Sequence, residues 1–486
     1  MDQKELDQIK SKSTSSVIFL SLRNFGIQGI STLGFFLLTI LLGAAEVGLF
    51  SIVAESIGIL GYFSDLGLAS ALIQQKDKIK KAELRTTFSI QQILVFVALL
   101  TVALIYPSIA TTKSYGSKEM WILISLCYAF VAASLKTIPS VQLERKLNFK
   151  LISTIDIIEN VLFYFFAVLF AYLGFGAYSY AIATFIRSTV GLILIYQKSP
   201  WPIGFQISKS AAKKLFKFGI PFQLNSFIAM AKDRLSTLMV AGIIGREAYG
   251  ILAWAQKGPR IPLSFMDAIM KVTFPTFSRL QDNQEFLKKS IQKSVYFIAL
   301  FVFPALAGIA SIAPDIIDLI PKYQKWAPAV YPLYFFAASY AIAAVTTPLT
   351  NAFNAVGKIT TTTKLMIMWA TLTWIFFPLL SLKYSYIGTA YATLLVGLSS
   401  FYVWYLAKKI FDVNIFKIIF FPLISTIFML ALLIIISNLP LNLYLKVILK
   451  ITSAASLYAL LSYIFNKEQL LWFLSQLKGQ SLKSLS

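Results

Sequence analysis

Phe63-Ser64-Asp65-Leu66-Gly67-Leu68-Ala69-Ser70-Ala71-Leu72-Ile73-Gln74-Gln75 reads as the cytoplasmic half of a membrane helix. Its small residues let a second backbone approach closely. Its single carboxylate, Asp65, lies about 13 Å from the nearer helix end at 1.5 Å rise per residue. A charge at the centre of a bilayer costs about 2.5–3.5 kcal/mol on insertion scales. Asp65 is therefore expected to face a wet cavity, another helix or a partner charge.

The rest of the chain supplies the membrane context. Hydrophobic residues make up 57% of 486 positions and charged residues 13%, the balance of a polytopic membrane protein. With about 20 residues per crossing, the apolar runs give about fourteen spans. Their bounds are roughly 17–42, 47–74, 84–107, 119–139, 151–173, 176–197, 215–243, 248–275, 291–313, 327–355, 361–381, 385–407, 414–438 and 442–465. The predicted class is an all-α polytopic membrane protein.

The net charge of +23 does not mark a nucleic-acid binder, because the lysines fall in short blocks between apolar runs. Alternate loops hold Lys76, Lys78, Lys80, Lys81 and Arg85; Lys136, Arg145, Lys146 and Lys150; Lys198, Lys209, Lys213, Lys214 and Lys217; Arg279, Lys288, Lys289 and Lys293; Lys358 and Lys364; and Lys408, Lys409 and Lys417. The intervening loops hold only Lys113, Lys118, Arg246, Lys322, Lys325, Lys383 and Lys446. The positive-inside rule then places both termini in the cytoplasm and the basic loops against anionic lipid.

Several chemistries are excluded. The chain has no histidine and one cysteine, Cys127, so an internal disulfide, a His/Cys metal centre and a histidine base are ruled out. No cofactor is expected, and the loops are too short to hold a soluble catalytic domain. A many-span polysaccharide polymerase or ligase needs a sizeable outward loop, so an enzyme is disfavoured.

The chain echoes itself. Phe25-Gly26 opens the first span and Phe218-Gly219 the seventh. Gly43-Ala44-Ala45-Glu46-Val47-Gly48-Leu49 joins spans one and two, and Gly245-Arg246-Glu247-Ala248-Tyr249-Gly250-Ile251 joins spans seven and eight. Both pairs start from the cytoplasm, so the repeat is parallel, a transporter plan of two six-span lobes. The predicted organisation is a cytoplasmic tail (1–16), an N-lobe (17–197), a linker (198–214), a C-lobe (215–407), spans thirteen and fourteen (408–465) and a cytoplasmic tail (466–486), in which Glu468 to Leu477 lies on the membrane surface.

Deep charges are the candidate site. Arg23, Lys271 and Lys450 are close enough to helix ends to snorkel to headgroups. Arg187, Lys232, Arg234, Lys257 and Arg260 are deeper, as are Glu55, Asp65, Glu159, Asp233 and Asp267, with Asp156 nearer the cytoplasm. Lys232-Asp233-Arg234 sits in mid-span, where three consecutive residues point in three directions. Arg260, Asp267 and Lys271 share a helical face with Lys257 one turn before, and Gly258-Pro259 and Pro262 interrupt that helix. Two readings fit: a cationic cavity for an anionic head group, or internal salt bridges such as Asp233 with Arg260. Asp156, Glu159, Asn160 and Tyr164 form a polar strip that suits either a proton or cation site or a seam between helices. Glu55, Asp65 and Asp233 join Asp156 and Glu159 as gating or ion-coupling candidates.

Phe63 through Gln74 resembles the second-span signature of bacterial polysaccharide flippases of the Wzx/WzxC type, in the multidrug/oligosaccharidyl-lipid/polysaccharide exporter superfamily. Leu143-Glu144-Arg145-Lys146-Leu147-Asn148-Phe149-Lys150 is similar to that family's basic loop before span five. Asp233-Arg234-Leu235, Gly245, Gly250 and Pro262 match in order, followed by Phe274-Pro275-Thr276-Phe277-Ser278-Arg279-Leu280-Gln281, Ala313-Pro314-Asp315-Ile316-Ile317, Lys325-Trp326-Ala327-Pro328-Ala329 and Asn351-Ala352-Phe353-Asn354-Ala355-Val356-Gly357-Lys358. Met230-Ala231 and Gln256-Lys257-Gly258-Pro259 depart from the commoner wording. The resemblance implies two six-helix lobes in a V around a central cavity, with two further helices at the C-terminus. It implies that an undecaprenyl-pyrophosphate-linked oligosaccharide crosses a bacterial or archaeal cytoplasmic membrane by alternating access, for surface polysaccharide biosynthesis. Cavity cations would hold the pyrophosphate, and here Arg23, Lys232, Arg234, Lys257 and Arg260 are the candidates by location. Other polysaccharide-assembly membrane proteins are candidate partners. The rival readings are a drug or cation antiporter of the same superfamily and a structural partner in a glycan assembly complex.

Overall fold

The computed structural model describes residues 26–75, 79–113 and 116–477. Among them every regular element is a helix. In order these are α1 (Gly26–Leu41), α2 (Ala44–Asp65), α3 (Leu68–Gln74), α4 (Lys81–Lys113), α5 (Ser117–Arg145), α6 (Phe149–Tyr172), α7 (Tyr178–Lys198) and α8 (Lys209–Met230). A π-helical turn (Ala231–Leu235) leads into α9 (Ser236–Arg260) and α10 (Leu263–Arg279). Then come α11 (Gln284–Leu319), a 3₁₀ segment (Pro321–Ala329), α12 (Val330–Ala355), α13 (Ile359–Leu398), α14 (Phe401–Phe411), α15 (Ile415–Ser437) and α16 (Leu443–Leu477).

Eleven helical stretches among the described residues are long and apolar enough to cross a membrane. One of them, Ile359–Phe411, has 53 residues. At 1.5 Å per residue it would be about 80 Å long, far beyond a ~30 Å hydrocarbon layer. It is broken at Ser385 (φ 53°, ψ −136°). A second break, at Gly245 (φ 81°), divides α9, and there only glycine adopts the left-handed backbone without strain.

The chain forms two compact units, one ending at Ala253 and one starting at Trp254. In the first, Leu49, Ile57, Val95, Ile122, Leu126 and Phe130 form one apolar cluster. Leu68, Leu72, Phe88, Ile138, Trp201 and Leu215 form another, which joins α3, α4, α5 and α8. The segment between α7 and α8 is pinned along α4: Gln206 N–H donates to Ser89 Oγ (2.9 Å) and Ser208 N–H to Thr86 Oγ1 (3.1 Å). In the second unit α11 is the central helix. Ile291, Val295, Ala299, Val345, Leu349 and Phe353 close one cluster, while Ala307, Met429 and Leu433 bring in α15.

Two expectations are corrected. The opening stretch is not one continuous helix. Leu66 (φ 46°) and Gly67 (φ 73°) are both left-handed and separate α2 from α3, and a leucine there stores about 1–3 kcal/mol of strain. Lys450 does not snorkel. It is 1% exposed and bonds both Asp315 and the Ser311 carbonyl (3.2 Å). α16 continues without a break through residues 468–477.

Candidate functional site

In the first unit the deep charges are brought together by irregular backbone. Lys232, Asp233 and Arg234 occupy the π-helical turn, a widened turn whose carbonyls are reached by the next hydroxyls. Thr237 Oγ1 donates to the Asp233 carbonyl (2.6 Å), and Ser236 Oγ to that of Lys232. Such turns recur at functional positions. Arg234 reaches across to α2, where its Nη1 lies 3.2 Å from Glu55 Oε2. Gly58, one turn on from Glu55, makes room: a Cβ there would collide with the guanidinium. The Arg234 and Glu55 side chains are 46% and 37% exposed, so the pair is open to a competing anion. Lys232 pairs with its neighbour Asp233.

Asp65 ends α2, and its carboxylate accepts from the Ala69 amide (3.2 Å), capping the first turn of α3. The small-residue stretch also meets another backbone. A Cβ on Gly67 would lie 2.5 Å from the Gly219 carbonyl, and one on Gly219 2.7 Å from that of Leu66. The sequence suggested a close approach here, but not its partner.

Glu159 pairs with Lys136 of α5 at 2.6 Å. Lys136 is a helix residue in this structure and not a loop lysine. Arg187 lies over the Phe163 ring, 4.6 Å from its centroid, within electrostatic reach of Glu159 and Tyr164. Tyr164 hydroxyl donates to Ser31 Oγ (3.4 Å). The polar strip of α6 is thus tied into α1, α5 and α7. Asp156 is partly buried one turn earlier on α6.

The sequence repeat acquires a physical meaning. Taking Gly43 as equivalent to Gly245 makes Ala44 equivalent to Arg246 and Gly48 to Gly250. A Cβ on Gly48 would collide with the Arg246 carbonyl and lie 2.8 Å from Gly250 N. A Cβ on Gly250 would collide with the Ala44 carbonyl and lie 3.1 Å from Ala44 Cα. The contact is reciprocal, like an isologous interface between two copies. Arg246 adds an ion pair to Glu119 of α5. Glu46 holds the same end together: Gly43 and Ala177 amides both donate to it (3.0 Å each). No residue pattern marked the Glu119 or Glu46 bonds in advance.

In the second unit α9 and α10 carry the other cations. Three i→i+3 bonds turn the chain between them, from Ile261, Ser264 and Phe265 amides to Gly258, Ile261 and Pro262 carbonyls (3.0–3.1 Å). The break foreseen at Pro259 and Pro262 is present. Arg260, Asp267 and Lys271 are exposed, and Asp267 lies in the field of both cations. Lys257 and Tyr340 also lie within electrostatic reach of Arg260. Trp254 is buried against Trp326, with ring centroids 6.0 Å apart. Arg23 lies outside the described residues.

The fold matches that of a solved membrane protein. It superposes on the lipid II flippase MurJ in its inward closed conformation with a TM-score of 0.73 at 14% identity, over 94% of this chain and 99% of that one. Residues 37–331, more than half of the chain, match the family described as polysaccharide biosynthesis protein, and the chain belongs to that family. It is 25% identical over 273 residues to teichuronic acid biosynthesis protein TuaB of Bacillus subtilis (55% of each chain). It is 23% identical over 322 residues to lipopolysaccharide biosynthesis protein WzxC of Escherichia coli (65% of each), and 22% identical over 316 residues to succinoglycan biosynthesis transport protein ExoT of Rhizobium meliloti (63% of each). The matched segment spans between about half and two thirds of these relatives' own lengths.

Proposed function

We propose that this multi-pass membrane protein is a flippase that moves a polyprenyl-pyrophosphate-linked oligosaccharide from the cytoplasmic to the outer leaflet by alternating access. The observation that carries the reading is the pairing of irregular backbone with ionisable side chains at mid-helix in a family of polysaccharide biosynthesis proteins. Lys232 and Arg234 sit on the π turn, and Lys257 and Arg260 precede the proline break. The relatives' names, teichuronic acid, lipopolysaccharide and succinoglycan, all denote glycans.

In this mechanism the pyrophosphate displaces carboxylates. Arg234 exchanges Glu55 for phosphate oxygens, which a guanidinium binds in a bidentate fork. Lys232 exchanges Asp233 in the same way. Neither cation goes unpaired during exchange. The reciprocal glycine crossing at Gly48 and Gly250 closes the outer side and separates when the site opens outward. The sugars cross in water and the lipid tail stays in the bilayer. Taking α1 and α8 with the breaks at Gly245 and Ser385, the proposed count is fourteen crossings, and the basic loops would put both termini in the cytoplasm. The transport needs no covalent step on the protein.

The test is a flipping assay in proteoliposomes with a lipid-linked oligosaccharide. Time-dependent loss of the glycan from one leaflet is expected. No movement of that lipid, together with export of organic cations by the same preparation, overturns the reading in favour of an antiporter.

A further inference from the structure

We propose that a pocket at the cytoplasmic end of the second unit seats the phosphate headgroup of an anionic phospholipid. The inference goes beyond the flippase reading and rests on it only for the orientation of the chain.

The pocket encloses about 480 Å³ where the start of α11, the start of α13 and the end of α14 meet. Gln281, Gln284, Glu285, Lys288, Lys358, Lys409 and Asp412 line it. Each carboxylate already has a lysine: Lys288 bonds Asp412, and Lys289 bonds Glu285 at 2.6 Å. Lys358 and Lys409 have no carboxylate within ion-pair distance among the described residues, and Lys408 adds a further charge beside Asp412. The first turns of α11, a 36-residue helix, and of α13 bring positive dipole ends here, offset by the negative ends of α12 and α14, so the lysines carry the surplus. The sum is a concave site with surplus positive charge, which concentrates anions.

The shape selects a lipid over a soluble anion. Phe286 and Ile359, each next in sequence to a lining residue, are 59% and 62% exposed, and Phe416, just beyond Asp412, is 63% exposed. Exposed apolar side chains close in sequence to a lysine pocket suit acyl chains below a phosphate. Asp412 is left-handed (φ 51°) between α14 and α15, and the Phe416 ring packs on Phe401 and Trp404 of α14, with centroids 6.3 and 5.3 Å apart.

The full-length protein in detergent is titrated with short-chain phosphatidylglycerol, phosphatidylcholine and inorganic phosphate, reading thermal midpoint and native mass spectra. Phosphatidylglycerol is expected to raise the midpoint and remain bound, with phosphatidylcholine at least tenfold weaker and inorganic phosphate without effect. Lys358→Glu with Lys409→Glu should abolish the shift. Lys198→Glu, which reverses a cytoplasmic lysine elsewhere, should retain it. Lys358→Gln and Lys409→Gln singly cover the case where the double variant does not fold, and each should weaken the lipid by at least threefold. Equal shifts in wild type and all pocket variants overturn the proposal, and an equal shift from inorganic phosphate overturns the lipid assignment.

Discussion

Gly250→Ala tests whether the reciprocal glycine crossing closes the outer side. The added methyl would collide with the Ala44 carbonyl and stand 3.1 Å from Ala44 Cα, whereas non-bonded carbons prefer about 3.5–4.0 Å. Both obstacles are backbone, so no rotamer change relieves them. Forcing a methylene-sized group into a packed contact costs about 1–3 kcal/mol. If the open state lacks this contact, the whole cost falls on the closed state, and 2 kcal/mol shifts the balance by roughly thirtyfold. The readout is labelling of Ser51→Cys, one turn from the crossing, by an impermeant maleimide from outside in a Cys127→Ser background. Gly250→Ala and Gly48→Ala should raise the labelling rate and lower glycan export. Gly242→Ala is the control, since a Cβ there meets nothing within 4 Å. Equal labelling of the Gly250→Ala and Gly242→Ala proteins would refute the reasoning.

Four further outcomes are expected. Arg234→Ala and Arg260→Ala should reach the membrane and lose glycan export; the Arg234–Glu55 pair is partly exposed, so its loss costs stability only about 0–1 kcal/mol, and normal surface polysaccharide in both variants would remove these residues from the site. Asp65→Asn keeps an acceptor for the Ala69 amide and should preserve stability, whereas Asp65→Ala should cost about 1 kcal/mol as a lost cap; a transport defect in the Asn variant at normal stability would show that the charge itself matters. Lys450→Ala strands a buried Asp315 and should destabilise by about 3–5 kcal/mol, while Lys450→Met with Asp315→Leu should recover much of the thermal midpoint. Lys288 holds the Asp412 carboxyl below the usual carboxylate range, so the pair's contribution is present at neutral pH and lost as pH falls through that lowered value; Asp412→Asn should flatten this acid-side part of the midpoint-versus-pH curve, and an unchanged curve would show that the pair contributes nothing.

The sequence alone determined the membrane class, the spacing of the helices and the alternation of basic loops. Each is a property of local composition measured against a bilayer, whose thickness and surface charge act on every segment independently. It also marked the residues at which something unusual happens: Asp65 among small residues, Lys232-Asp233-Arg234 in mid-span, prolines beside Arg260 and the echo of Gly43–Gly48 in Gly245–Gly250. What those residues touch was decided by tertiary structure. The Asp65 carboxylate caps a second helix only because Leu66 and Gly67 turn left-handed, which hydropathy does not register. Arg234 finds Glu55 because a glycine one turn away leaves space for the guanidinium. Lys450 is held in the interior because Asp315, more than a hundred residues earlier, lies beside it. Gly48 and Gly250 face one another because neither carries a Cβ, which lets the start of α2 and the backbone from Arg246 to Gly250 touch directly. Pairing across such distances depends on which helices become neighbours, and that follows from the packing of the whole chain.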